Sequence, residues 1–184
     1  FLAEFKQGCA KKIYTDERKA NVADSPTPRF DLLKLKRYNH VGIQWCRGCP
    51  FSCEFCDIIE LFGKVPRAKS GAQILTELQR LYDLGYRGHV DLVDDNFIGN
   101  KKEAKQVLPV LKGWLEERNW PFEFTTEASI NLADDEVLMS LMQDVGFFAI
   151  FVGIEAPDEE TLIAMQKRQN THRSIAESID KIHK

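Results

Sequence analysis

Four cysteines crowd into eleven residues of this chain, Cys46-Arg-Gly-Cys49-Pro-Phe-Ser-Cys53-Glu-Phe-Cys56. A secreted disulfide scaffold would spread its cysteines along the chain, so this crowding points to metal and a reducing compartment. As two C-x2-C knuckles the four thiols would hold zinc. Structural zinc sites, however, separate their knuckles by about a dozen or more residues, so that two chain segments are clamped together. Only three residues intervene here. A ferredoxin run has the order C-x2-C-x2-C-x3-C-P, whereas this segment carries its longer gap and its proline elsewhere. A third grouping takes Cys49, Cys53 and Cys56 in C-x3-C-x2-C spacing and leaves Cys46 as a small buried residue at a strand end. Cys9 stands alone, an ordinary buried or solvent-facing thiol.

The elements that must position this loop are legible from period and punctuation. Residues 1–38 lack a sustained period and contain Pro26 and Pro28, and they read as a linker or lead-in segment. A strand, His40 to Trp45, runs into the cysteine loop. A helix starts at Ser70 with Ile74, Leu75, Leu78, Leu81 and Tyr82 on one face, and Gly85 is its C′ residue. A second strand, Val90 to Val93, precedes a helix capped by Asn100, with a kink or break expected at Pro109. A third strand, Phe122 to Thr126, leads to a helix from about Asp134 that Gly146 closes. The run Phe148 to Ile154 reads as a parallel strand covered on both faces. Helical stretches follow near Glu159 to Lys167 and from Thr171.

Four βα units in this order call for a parallel sheet with right-handed crossovers. The expected fold is α/β, a partial (β/α) barrel, because eight units need roughly 250 residues. Phe1 in place of an initiator Met, and a last residue inside a helix, suggest truncation at both ends. In such folds the chemistry collects at the carboxyl ends of the strands. The cysteine loop, Asp94-Asp95-Asn96, Glu127 and Glu155 all fall there. The competing readings are structural: a capped βα turn for Asp94, Asp95 and Asn96, and carboxylates at helix N-termini for Glu127 and Glu155. Arg47, Arg67 and Lys69 read as solvated charge, and His40, His89, His172 and His183 share no metal-ligand spacing.

Composition excludes some classes. The net charge of −3 offers no basic field for nucleic acid. The longest apolar run, Phe147 to Ile154, has eight residues and is too short to cross a bilayer. No transmembrane segment and a cytoplasmic location are therefore expected.

The C-x3-C-x2-C spacing resembles the signature of the radical S-adenosylmethionine (SAM) superfamily. The stretches Pro28-Arg29-Phe30-Asp31-Leu32-Leu33, Arg47 through Ile58, Val93 through Asn100 and Gly153-Ile154-Glu155-Ala156-Pro157 are similar to its cobalamin-dependent branch, which contains hopanoid C-2 methylases. The resemblance implies a [4Fe-4S] cluster on Cys49, Cys53 and Cys56, with SAM chelating the open iron and yielding a 5′-deoxyadenosyl radical. It implies Phe55 near the adenine, and Asp94, Asp95, Asn96, Glu127 and Glu155 as cofactor-binding groups. Where family members place Gly-Gly-Glu after the second strand, this chain has Asp94-Asp95-Asn96. It further implies cobalamin held by a domain preceding residues 1–38, so that residues 39–184 form the N-terminal part of the radical SAM barrel. Methylation of an unactivated carbon is the leading activity. A radical oxidoreductase or cyclase is the runner-up, and a zinc-stabilised, non-catalytic binding module is the alternative from another class. The implied partners are a small-molecule substrate, with lipid-like molecules among the candidates, and a reductant such as flavodoxin or ferredoxin.

Overall fold

The computed structural model describes residues 1–16 and 18–184. A short helix, α1 (Leu2–Lys6), and three isolated 3-10 turns lead to β1 (Val41–Ile43). The cysteine region follows as β2 (Cys46–Arg47), α2 (Ile58–Leu61) and β3 (Arg67–Ala68). The repeating part then runs α3 (Gly71–Asp83), β4 (Gly88–Leu92), α4 (Lys101–Glu116), β5 (Phe122–Ala128), α5 (Glu136–Val145) and β6 (Phe147–Val152). The chain closes with α6 (Glu159–Ala164) and α7 (Ile175–His183).

The main sheet has strand order β1-β4-β5-β6 with every pair parallel. This is an α/β fold, a part-barrel of four strands. The cysteine segment adds an antiparallel ribbon that pairs Cys46 with Ala68 and Arg47 with Arg67. That ribbon returns the chain from the cysteine loop to the start of α3, an element the sequence periodicity did not announce.

Local chemistry sets the helix starts. Ser70 and Gln73 form a reciprocal capping box at α3. The side-chain oxygen of Asn100 accepts from Glu103 N at 3.3 Å at the head of α4. Asp135, one residue beyond the expected start, accepts from Leu138 N at 3.1 Å to cap α5. Gly146 ends α5 at φ +90°, a backbone conformation open to glycine at no steric penalty. The break expected at Pro109 does not occur, since α4 is continuous from Lys101 to Glu116. Leu108 and Leu111, both buried beside an exposed Pro109, anchor the helix to the core. Burying one leucine is worth about 1.5–3 kcal/mol, so two such anchors offset an interior-proline penalty of about 3 kcal/mol.

Strand alternation divides the sheet into two faces. Phe122, Phe124, Thr126 and Ala128 of β5 are buried, while Glu123 and Glu127 between them are exposed. On the covered face Phe122 and Phe124 join Val90, Leu92, Ile74, Leu78, Leu81, Leu108 and Leu111 in one core beneath α3 and α4. On β4 and β5 the opposite face is polar. There the His89 ring nitrogen Nε2 and Thr125 Oγ1 are 2.6 Å apart, and Thr125 Oγ1 donates to Asp91 Oδ1 at 2.7 Å. The lead-in segment is packed against the rest, with Val22 and Phe30 buried and Gln73 Nε2 donating to Ala23 O at 2.7 Å.

β6 differs from its expected covering on both faces. Phe148 and Phe151 are 57% and 70% exposed. β6 is an edge strand of the sheet, so this apolar run has a paired strand on one side only, the arrangement that exposes backbone and side chains to further pairing.

Candidate metal centre

The cysteine loop is held from below by the residues that follow β4. Asp94 Oδ1 accepts from Trp45 N at 2.8 Å and from Cys46 N at 3.0 Å. Asp95 Oδ2 accepts from Gly48 N at 2.8 Å. The Asn96 amide donates to Cys49 Sγ at 3.8 Å and to Ser129 Oγ at 3.0 Å. A Cβ on Gly99 would lie 3.3 Å from Pro50 Cδ and 3.2 Å from Pro66 Cγ. Four consecutive parts of the loop thus rest on one short block, and the parallel pairing of β1 with β4 makes this possible by ending both strands at the same level.

The loop's own backbone requires glycine at one point. Gly48 has φ +100°, and a Cβ there would meet Gly63 O at 2.8 Å. Beyond it, Cys56 N donates to Cys53 O at 3.1 Å and closes the turn between the last two cysteines. Cys49, Cys53 and Cys56 are all half-buried, whereas Cys46 is 2% exposed. Burial, with the Asp94, Glu103 and Asp95 charges after it, pushes the Cys46 thiol up to about 12. The Cys49 thiol is also raised, chiefly by burial.

Cys49, Cys53 and Cys56 are each half-buried in the loop, and amide N–H donors aim at two of them, Asn96 at Cys49 and Gln169 at Cys53 at 3.4 Å. Amide donors facing sulfur suit a thiolate that carries cluster charge. Among the described residues, no three His, Cys, Asp or Glu side chains are gathered into a ready site for a single ion.

Phe55 is 55% exposed between the last two cysteines, with Lys167 Nζ 5.6 Å from its ring centroid. Glu155 has φ +67° and forms an ion pair with Lys167. Glu127 lies on the open face of β5. Loss of surrounding water, then the charges of Asp91 and Asp95, raise its carboxyl above the usual range. Asp94 is 1% exposed, so it acts beneath the loop; Asp95 and Asn96 bond to Gly48 and Cys49, and Glu155 reaches Phe55 through Lys167. Lys69, expected in solvent, is instead 9% exposed and pairs with buried Glu77 at 2.6 Å. Arg67 donates to the carbonyls of Phe62 and Ala20, tying the ribbon to the lead-in segment. Sequence reasoning missed Lys167 and Gln169. Neither belongs to a spaced motif, and both reach the loop only through the fold.

The fold and the cysteine geometry agree with the comparisons. Residues 43–184 match the radical SAM superfamily, and the chain belongs to that family. It is 52% identical over 184 residues to the uncharacterized methyltransferase sll1242 of Synechocystis sp., covering all of this chain and 34% of that protein. It is 41% identical over 167 residues to the hopanoid C-2 methylase of Rhodopseudomonas palustris, covering 91% of this chain and 32% of that protein. Among solved structures, the cobalamin-dependent SAM radical enzyme OxsB, with aqua-cobalamin and SAM bound, superposes at a TM-score of 0.73 and 21% identity. That match covers 99% of this chain and 30% of OxsB. The chain therefore spans about a third of the length of these relatives. No helix among the described residues is long and apolar enough to cross a membrane.

Proposed function

We propose that this chain is the cluster- and SAM-binding part of a cobalamin-dependent radical methyltransferase acting on an unactivated carbon of a small-molecule substrate. When bound, the cluster and SAM supply a one-electron reductive cleavage that generates a radical able to remove hydrogen from carbon, and cobalamin supplies the methyl group. The chain's own residues hold and orient. Cys49, Cys53 and Cys56 bind three irons, and Asp94 and Asp95 fix the loop through the N–H groups of Trp45, Cys46 and Gly48. Asp91, Asp95 and Glu127 give the open side of the sheet ends a negative field, suited to the ammonium and sulfonium charges of SAM. Phe55 offers an exposed ring beside the loop for the adenine. Asn96 and Glu155 complete the cofactor's surroundings. The reductant is a protein such as flavodoxin or ferredoxin, and the setting is cytoplasmic. Methyl transfer, rather than oxidation or cyclisation, draws its support from the methylase relatives, 41–52% identical to this chain.

One observation carries the reading: Cys49, Cys53 and Cys56 are half-buried, whereas Cys46, the fourth cysteine of the segment, is fully buried. Anaerobic reconstitution with iron and sulfide, followed by electron paramagnetic resonance of the reduced protein with and without SAM, tests it. A four-iron signal that SAM alters, that survives Cys46→Ala and that vanishes in Cys53→Ala is expected. One zinc per chain, or loss of the metal in Cys46→Ala, would leave a structural cysteine cluster.

A further inference from the structure

The segment following α6 makes several contacts with the cysteine loop although it is more than a hundred residues distant in sequence. Met165 O accepts from Glu54 N at 3.0 Å, so the backbone itself joins the two. Lys167 lies by the Phe55 ring and pairs with Glu155. Gln169, 8% exposed, directs Nε2 to Cys53 Sγ at 3.4 Å. Asn170 then donates to the carbonyls of Gly153 and Ile154, each at 3.1 Å, which fixes the segment to the turn after β6. Gln169 is thus held from both sides, by Met165 and by Asn170, with its amide against a sulfur.

We propose that Gln169 is a positioning residue that tunes the reduction potential of the cluster through an N–H···S bond to the Cys53 thiolate. This rests on the cluster reading above. An amide nitrogen can only donate, and a thiolate can only accept. Reduction adds an electron to the cluster and makes its sulfurs more negative, so a donor favours the reduced form over the oxidised one and raises the potential. Burial removes competing water from the bond and strengthens it. Asn96 makes the longer counterpart contact to Cys49, at 3.8 Å. Cys56 has no side-chain amide donor of this kind among the described contacts.

The test is a redox titration of the reconstituted intact protein, monitored by electron paramagnetic resonance, with iron and sulfide counted in every sample. Gln169→Leu removes the donor, and Gln169→Glu removes it while keeping the shape and adding negative charge. Both should retain iron and sulfide at the wild-type count. The midpoint potential should move negative in Gln169→Leu and further negative in Gln169→Glu. Full iron with an unchanged potential in Gln169→Leu would overturn the proposal and leave the cluster reading intact. Failure of the wild-type protein itself to take up iron would overturn both. The potential of Gln169→Leu at full iron and sulfide separates tuning from mere structural support, because a residue that only packs has no N–H donation to the Cys53 sulfur whose loss would shift it.

Discussion

Replacing Asp94 by asparagine should flatten the pH dependence of this protein's stability. Asp94 is 1% exposed, and while its Oδ1 takes two backbone N–H groups, its buried Oδ2 has no partner. Burial raises its carboxyl from 3.8 to about 7, against the lowering effect of the Cys46 and Trp45 N–H bonds. Below about pH 4 the carboxyl is protonated in the folded and unfolded chains alike. Between about 4 and 7 the folded chain keeps a proton that the unfolded chain releases, so stability falls as pH rises through that window. A rise of about three units at about 1.4 kcal/mol each corresponds to about 4 kcal/mol, lost at a slope of up to about 1.4 kcal/mol per pH unit. Asparagine keeps an oxygen for both backbone donors but does not titrate. Its own unpaired N–H shifts the absolute stability by about 1–3 kcal/mol, without changing the slope. Urea unfolding of the iron-free protein followed by circular dichroism at pH 5, 6, 7 and 8 reads both quantities. The wild-type value should fall toward that of Asp94→Asn, or below it, as pH rises, with the difference shrinking or reversing by about 2–3 kcal/mol between pH 5 and 8. Parallel profiles for the two proteins would refute the reasoning and place the buried carboxyl's proton elsewhere.

Two further substitutions address the frame of the site. Gly48→Ala forces a side chain into φ +100° and against Gly63 O at 2.8 Å. It should destabilise the chain by about 1–3 kcal/mol or more and expose Cys49, seen as a lower melting temperature and faster alkylation of that thiol. Lys69→Met leaves Glu77, 2% exposed, without its cation. A loss of about 3–5 kcal/mol in urea unfolding is expected, much of it recovered by the double variant Lys69→Met/Glu77→Leu.

Part of the site is local and was therefore readable in order along the chain. Cys49, Cys53 and Cys56 fall within eight residues, so their grouping was legible from spacing alone. The caps at Ser70 and Asn100 and the closing Gly146 are likewise local, depending on hydrogen bonds over three residues or on a single φ. The four strands showed themselves through apolar runs and the turns that bound them, and their parallel order followed from the helices between them.

Tertiary structure decided the rest. In the sequence the carboxylates of Asp94 and Asp95 read first as cofactor-binding groups, with a capped turn as the competing reading. Only the pairing of β1 beside β4 assigned them to the backbone of the cysteine loop. Lys69 looked like surface charge until α3 placed Glu77 against it. β6 read as a covered strand, yet its covering depends on neighbours that a run of apolar residues does not specify. Gln169 carries no motif, and it meets Cys53 across 116 positions because α6 folds back from the end of β6. Short-range hydrogen bonding and side-chain period belong to the sequence itself. What a buried polar group faces is set by which strands and helices pack together, and that was a property of the whole fold.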